Sequence, residues 1–361
     1  MRLIILLLLI CSTIYAQYDH VPVFPDLEDT ELNAALIDNY KPIVSLSLSE
    51  TRDTLYKKIY LHKDSVRCVY TTMAKFLDLN EDPSQFLFEE GGSDDLNLEH
   101  GFPQAKGAGF GAAQADMHHL FPSRVMVNSR RGNDPYVELD DNEVDTWYFK
   151  EEERSSRPNS NVIDQYSEDR HLGFEPREDF KGNVARAYFY FYTMYKQQAD
   201  AEDPEFFSSQ VETLCDWHDL DPVDSLEWVR TYKIANYQDD KQNPFVLDCS
   251  LARLYCNSVS PACRIVNTKE LTGFDSNLTL SPNPIEAGGR MGLSLGVDRG
   301  QGLLSGPDSG RAVIFDFQGR KVSEQILDGD FEIFAPGEVG YYQVFIFDRG
   351  VVVGRRSLVV Y

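Results

Sequence analysis

The sequence has no CxxC pair, no HExxH and no His/Cys spacing of a zinc site, so a zinc-dependent protease finds no ligand set in it. No apolar run reaches the ~20 residues that a membrane-spanning helix needs. Solenoid repeats and low-complexity tracts are absent too. Basic residues are scarce: 34 Lys and Arg stand against 58 Asp and Glu, a formal net charge of −24. That balance argues against a histone-like or generally basic nucleic-acid binder, and by itself directs attention away from DNA and RNA. What is present is ample core material, 42% hydrophobic and 12% aromatic over 361 residues. Such a chain suits two domains and excludes wholesale disorder.

Met1–Ala16 reads as a secretory signal peptide: Arg2 supplies the positive start, Leu3–Ile10 the apolar stretch and Ala16 the small residue at the cleavage point. Cys11 is a poor lipoprotein site, because bulky Ile10 precedes it. Cleavage leaves Cys68, Cys215, Cys249, Cys256 and Cys263. Export to an oxidising compartment suggests disulfides among the last three or to Cys68 and Cys215. An odd number leaves at least one thiol unpaired within the chain.

Residues 17–270 alternate helical and loop-like stretches. Phe180–Gln198 reads as a buried helix whose aromatics form core rather than a base-stacking platform. Leu226–Tyr237 reads as a shorter amphipathic helix, and Asp140–Arg170 as a polar surface excursion. Residues 271–283 are linker-like, and 284–361 form a small Ig-like β-sandwich with strands expected at Ala312–Phe317, Phe331–Phe334, Tyr341–Phe347 and Ser357–Tyr361. Beginning near residue 275, Ser281-Pro282-Asn283-Pro284, then Asp316–Val322, then Gly340-Tyr341-Tyr342-Gln343-Val344 follow in order. This pattern resembles the C-terminal sorting domain of the type IX secretion system of certain Gram-negative bacteria. The resemblance implies the secretion machinery as a partner and a secreted or cell-surface location.

The informative stretch is Leu96–Tyr136. Leu96–His100 reads as a strand ending at Gly101. Neighbours on a strand face opposite sides, so Glu99 and His100 can serve one site only at a strand end or bend. Pro122-Ser123 reads as a helix start with Ser123 as N-cap, and Gly132 as its stop. Val125 and Asn128 share a face of that helix. An acid–His pair on one arm and an Asn on the other suits metal-assisted phosphodiester hydrolysis. Imidazole, with an ordinary pKa of ~6.5, can deprotonate water near neutral pH. Carboxylate and amide oxygens are hard ligands matched to Mg²⁺.

The same residues resemble bacterial endonuclease I, a group of nucleases of the His-Me finger (ββα-metal) superfamily. Glu99-His100, Asp116–Ser123 and Val127–Asn133 carry the resemblance, followed by Gly182–Tyr190, Trp217 with Asp221–Asp224, and Gln242–Phe245. It implies an α+β fold, a ββα-metal nuclease domain with surrounding helices ahead of the sandwich. It implies His100 as general base, and Glu99 and Asn128 as ligands of one divalent metal, with Mg²⁺ expected and Ca²⁺ or Mn²⁺ the alternatives. Asp116 and His119 would orient the site, although position 119 is usually Asn in the family. Lys106, Arg130, Arg131 and Arg186 are candidates for the phosphate clamp, and Asn133 lies in the same motif. His118 reads as structural.

The sequence therefore reads as an exported, largely sequence-nonspecific endonuclease acting on DNA and RNA and working as a monomer, and the resemblance implies 5′-phosphate ends. The alternative is a catalytically degenerate cell-surface binding or adhesion protein for nucleic acid or carbohydrate. The charge does not exclude nucleic acid after all. Within 96–133, Lys106, Arg124, Arg130 and Arg131 outnumber Glu99 and Asp116. A locally cationic cleft on an acidic protein can still take a polyanion.

Overall fold

A computed structural model of the chain describes residues 23–258 and 278–361, apart from 44–45, 89–90, 296–309, 317–320, 328–331 and 349–350. The signal-peptide reading, Cys263 and most of the linker lie outside the described residues. The chain divides into two compact units, Val21–Thr272 and Gly273–Val360. Both are consistent with a mixed α+β protein that has a β-rich C-terminal part.

In the first unit, several helices begin where a side chain can accept otherwise unpaired backbone N–H groups. Helix α1 spans Asp29–Tyr40. Helix α2, Leu48–Thr54, opens with a reciprocal box between Ser47 and Glu50. Strands β1 (Ser65–Arg67) and β2 (Ala74–Phe76) pair, and α3 (Pro83–Leu87) starts at Asp82 with Pro83 in its first turn. Strands β3 (Leu96–His100) and β4 (Leu120–Arg124) are antiparallel, and α4 (Val125–Arg131) follows β4 directly.

The structure departs from the sequence reading at two places. Helix α4 starts at Val125, and its cap position is Arg124, without a side-chain cap; Ser123 lies in β4. The reason is tertiary: Pro122 and Ser123 stand opposite Leu98 and Asn97 in the ladder, and strand pairing overrides the local helix-start signal. The stop at Gly132 holds, with its φ of 55° in the region that favours glycine. The stretch 140–170 is also more than a surface excursion. It contributes β5 (Thr146–Phe149), β6 (Glu152–Arg154) and β7 (Ser167–Arg170), which join β8 (Gly173–Glu175) in a sheet of order β6-β5-β7-β8. Buried Trp147, Tyr148 and Tyr166 anchor it beneath its charged exterior.

Helix α5, Lys181–Glu202, is the central element; every residue from Val184 to Phe191 is buried, as for a helix covered on all sides. Its aromatics are core, with Phe191 stacked on Phe102 at 4.2 Å and Tyr192 on Phe207 at 3.9 Å. Gly182 is required for the close approach of its first turn, since a Cβ there would stand 1.9 Å from the Asp221 carbonyl oxygen. Helices α6 (Val211–Leu220), α7 (Ser225–Ala235) and α8 (Pro244–Leu247) complete the unit. Cys215 on α6 is bonded to Cys256, Cys249 is also in a disulfide, and Cys68 is a buried free thiol.

The second unit contains two antiparallel sheets. Strands β9 (Leu278–Ser281), β10 (Arg290–Leu295), β11 (Gly310–Asp316), β12 (Lys321–Leu327), β13 (Glu332–Phe334), β14 (Gly340–Asp348) and β15 (Val351–Val360) form sheets of order β13-β10-β9 and β12-β11-β14-β15. Met291, Leu293, Ile314, Val344, Ile346 and Leu358 share one apolar core. The last strand starts earlier than its apolar end at Ser357 suggests, because its backbone pairs with β14 from Val351 onward.

Candidate active site

Alternation along β3 sets the site's two faces. Asn97 and Glu99 point one way, and Leu98 and His100 the other. Leu98 is tied into an apolar cluster with Leu55, Ile59, Met117, Leu120 and Ile234, which holds the strand in register. From α4, Asn128 reaches back to the first face, its Nδ2 donating to Asn97 Oδ1 at 2.7 Å and to the Leu98 carbonyl at 3.4 Å. Both amide hydrogens are thereby occupied, and Oδ1 is the atom of the Asn128 amide that could still act as a ligand.

Glu99 is buried, and its Oε1 accepts from Tyr70 Oη at 2.9 Å and from Arg131 Nη1 at 3.1 Å. Tyr136 shares a 2.5 Å hydrogen bond with Tyr70. Burial pushes the Glu99 carboxyl up to about 7 even though Arg131 and Tyr70 pull it down. The rest of the Arg131 guanidinium grips the strand end: Nη1 donates to the His100 carbonyl at 3.2 Å, and Nη2 to the Gly101 carbonyl at 2.8 Å. Tyr188 from α5 donates to the same Gly101 oxygen at 2.9 Å. The end of β3 is thus fastened from three elements.

His100 is the last paired residue of β3. Its Nε2 lies 3.0 Å from the Gln114 carbonyl, which can only accept, and its Nδ1 lies 3.1 Å from Gln104 Nε2, which can only donate. The neutral tautomer is therefore protonated on Nε2, with the Nδ1 lone pair facing Gln104. Burial, then the neighbouring His119, push its pKa down to about 3, so the ring is neutral near pH 7. The His119 ring is 5.7 Å away and donates through Nε2 to the Ala113 carbonyl at 2.7 Å. Burial lowers His119 to about 4 against the pull of Asp116. Asp116 is itself buried and accepts from the His118 backbone, Gln238, Tyr190 and Tyr195. Burial raises its pKa, but His118, His119 and these donors outweigh that and hold the carboxyl below its ordinary range.

The model of the endonuclease I family matches residues 33–249, more than half of the chain and inclusive of every residue just described. The chain belongs to the endonuclease I family. It is also similar to the extracellular ribonuclease of Bacillus subtilis, 30% identical over 51% of this chain, and to that of Bacillus amyloliquefaciens, 32% identical over 44%. The chain spans only about half the length of these relatives, 58% and 53% respectively.

Endonuclease I nucleases generally use a divalent metal. Glu99 and Asn128 fit one: a carboxyl whose pKa burial raises even with Arg131 beside it, so that a further cation would favour its charged form, and an amide oxygen left over once its nitrogen is anchored. Elsewhere in this endonuclease unit, Glu138, Glu175 and Glu178 are close enough to share an ion. There the Lys181 ammonium already bonds all three, at 2.9, 2.7 and 2.7 Å.

The basic candidates separate by burial. Arg131 has no exposed surface, and Arg186 is buried in an ion pair with Glu227 at 2.6 Å, so both sets of donors are turned inward. Lys106 is partly exposed and paired with Asp203 at 2.7 Å, while Arg130 and Asn133 are exposed. His118 donates to the Lys241 carbonyl at 2.9 Å. Sequence reasoning missed Tyr70, Asn97, Gln104, Tyr136 and Tyr188. For Asn97 a signal existed, since period two places it on the Glu99 face. Nothing local marked the tyrosines.

Proposed function

We propose that this chain is an exported, metal-dependent and largely sequence-nonspecific endonuclease that hydrolyses DNA and RNA to 5′-phosphate products. The observation that carries the reading is the strand end itself. A neutral His100 with its tautomer set by Gln114 adjoins a buried Glu99, and Asn128 is anchored on the Glu99 face. Glu99 and Asn128 would hold the metal, Mg²⁺ first among the candidates. When bound, the ion polarises the scissile phosphate and stabilises the leaving oxygen. His100 Nδ1 takes the proton of the attacking water once Gln104 yields its place. The approaching phosphodiester anion raises the imidazole's affinity for that proton. Arg131 and Tyr188 hold the His100 and Gly101 carbonyls, keeping the base in place. Of the four basic candidates, exposed Arg130 and partly exposed Lys106 are the ones with surface to offer substrate phosphates. Phosphate contacts carry no direct sequence information, in keeping with low specificity.

The N-terminal segment reads as the export signal and the β-rich C-terminal unit as a type IX sorting domain. On this reading the enzyme is a monomer, secreted or held at the surface of a Gram-negative cell, and the extracellular ribonucleases among its relatives support export. Incubating plasmid DNA and single-stranded RNA with the purified protein in Mg²⁺, with and without chelator, tests the activity. Both substrates are cut, and chelation or His100→Ala abolishes cutting. Undiminished cutting in either case defeats the mechanism.

A further inference from the structure

The turn that holds His100 also offers an aromatic ring to solvent. It runs from Gln104, whose amide donates to His100 Nδ1, to Gln114, whose carbonyl takes the Nε2 proton. Between them Phe110 is 51% exposed, in a unit whose large aromatics are mostly core. Its backbone is nevertheless fastened. Gln198 of α5 donates to the Phe110 carbonyl at 2.8 Å and to the Gly107 carbonyl at 2.5 Å. Gly107, with φ of 119°, lies so close to α5 that a Cβ would stand 2.7 Å from the Ala199 Cα. Gly109 packs closely on Gln104, where a Cβ would stand 2.9 Å from its carbonyl oxygen. The ring is thus carried on a braced backbone next to the residue that covers His100 Nδ1. Folding gains little from an apolar ring left in water.

The geometry points to Phe110 as a stacking platform for a nucleobase beside the scissile phosphate, fitting this site to single-stranded nucleic acid. The inference rests on the nuclease reading above and adds the substrate's form. Every base has a π-face, so stacking on Phe110 is tolerant of sequence. A base within a duplex is already stacked on both sides, and releasing it costs free energy that a single strand does not spend.

The test uses the full chain with a short single-stranded oligonucleotide, its duplex, and the same strand carrying abasic residues. Phe110→Ala raises KM on the intact single strand by roughly tenfold, with kcat unchanged, and leaves the abasic strand unaffected. Phe110→Trp restores the low KM. The same variant gives a binding readout in chelator, since native Trp147, Trp217 and Trp228 are buried. Fluorescence of the added indole is quenched by the intact strand and not by the abasic one. An equal KM change on both strands, or an unquenched indole, overturns the proposal. Quenching without any cleavage in Mg²⁺ defeats the nuclease reading and leaves the stacking site standing.

Discussion

His100 and His119 hold consecutive carbonyls of one turn: His100 Nε2 donates to Gln114 and His119 Nε2 to Ala113. An Asn at position 119, which the resemblance to endonuclease I leads one to expect, would preserve the donor, because its amide can also supply an N–H. His119→Asn retains activity, whereas His119→Ala leaves the Ala113 carbonyl unpaired in a buried setting. That loss costs about 1–3 kcal/mol of stability. It also loosens the turn that sets the His100 tautomer, lowering kcat by roughly ten- to a hundredfold. Urea unfolding and plasmid-cleavage rates on the two variants check this, and equal rates contradict it.

Arg131 has the opposite sensitivity. It is the cationic partner of a buried Glu99 and also binds two carbonyls at the strand end. Arg131→Met leaves the carboxylate without that partner, at a cost of about 3–5 kcal/mol. Arg131→Lys recovers only part, since an ammonium cannot span three fixed acceptors as a planar fork does. Equilibrium denaturation ranks wild type above Lys above Met; Met matching wild type refutes the assignment.

Across β7–β8, Glu168 stands opposite Glu175, buried, with Oε2 lacking a hydrogen-bond partner. Burial, then Glu175, push its pKa up to about 9 from 4.5. A raised acid pKa favours the folded state when protonated, so this contribution is complete below about 4.5 and is lost as pH rises through about 9. Glu168→Gln removes the loss. The variant overtakes wild type at alkaline pH by on the order of 1–3 kcal/mol, and thermal melts at acid and alkaline pH measure the crossover. Parallel pH profiles of the two proteins oppose this.

The net charge of −24 makes the salt response diagnostic. Long-range repulsion of a polyanion is screened within ~10 Å at 0.1 M salt, while contacts at the cleft are screened less. Moderate salt therefore inhibits this enzyme less than a basic nuclease, or activates it. A steep monotonic loss of initial rate from low salt upward contradicts that.

Much of the local architecture is legible along the chain. Alternation in Leu96–His100 makes a strand, Gly132 ends a helix, and the aromatic run after Phe180 makes a core helix. The acid–His pair and the Asn are readable as chemistry because their types and order are local. The start of α4 is not, because Ser123 could cap a helix or pair in a ladder, and only its partner Asn97 decides. The same holds for Asp140–Arg170, whose surface charge hides the buried Trp147 and Tyr148.

What the sequence by itself determined is the set of candidate groups and most of the elements that bear them. What the tertiary structure decided is their electrostatic state. Tyr70 and Arg131, 29 and 32 residues from Glu99, converge on one carboxylate oxygen, and Arg131, a candidate for substrate contact, is turned inward. Burial and partners drawn from distant elements set a group's charge, and neither is a property of the residues beside it in the chain.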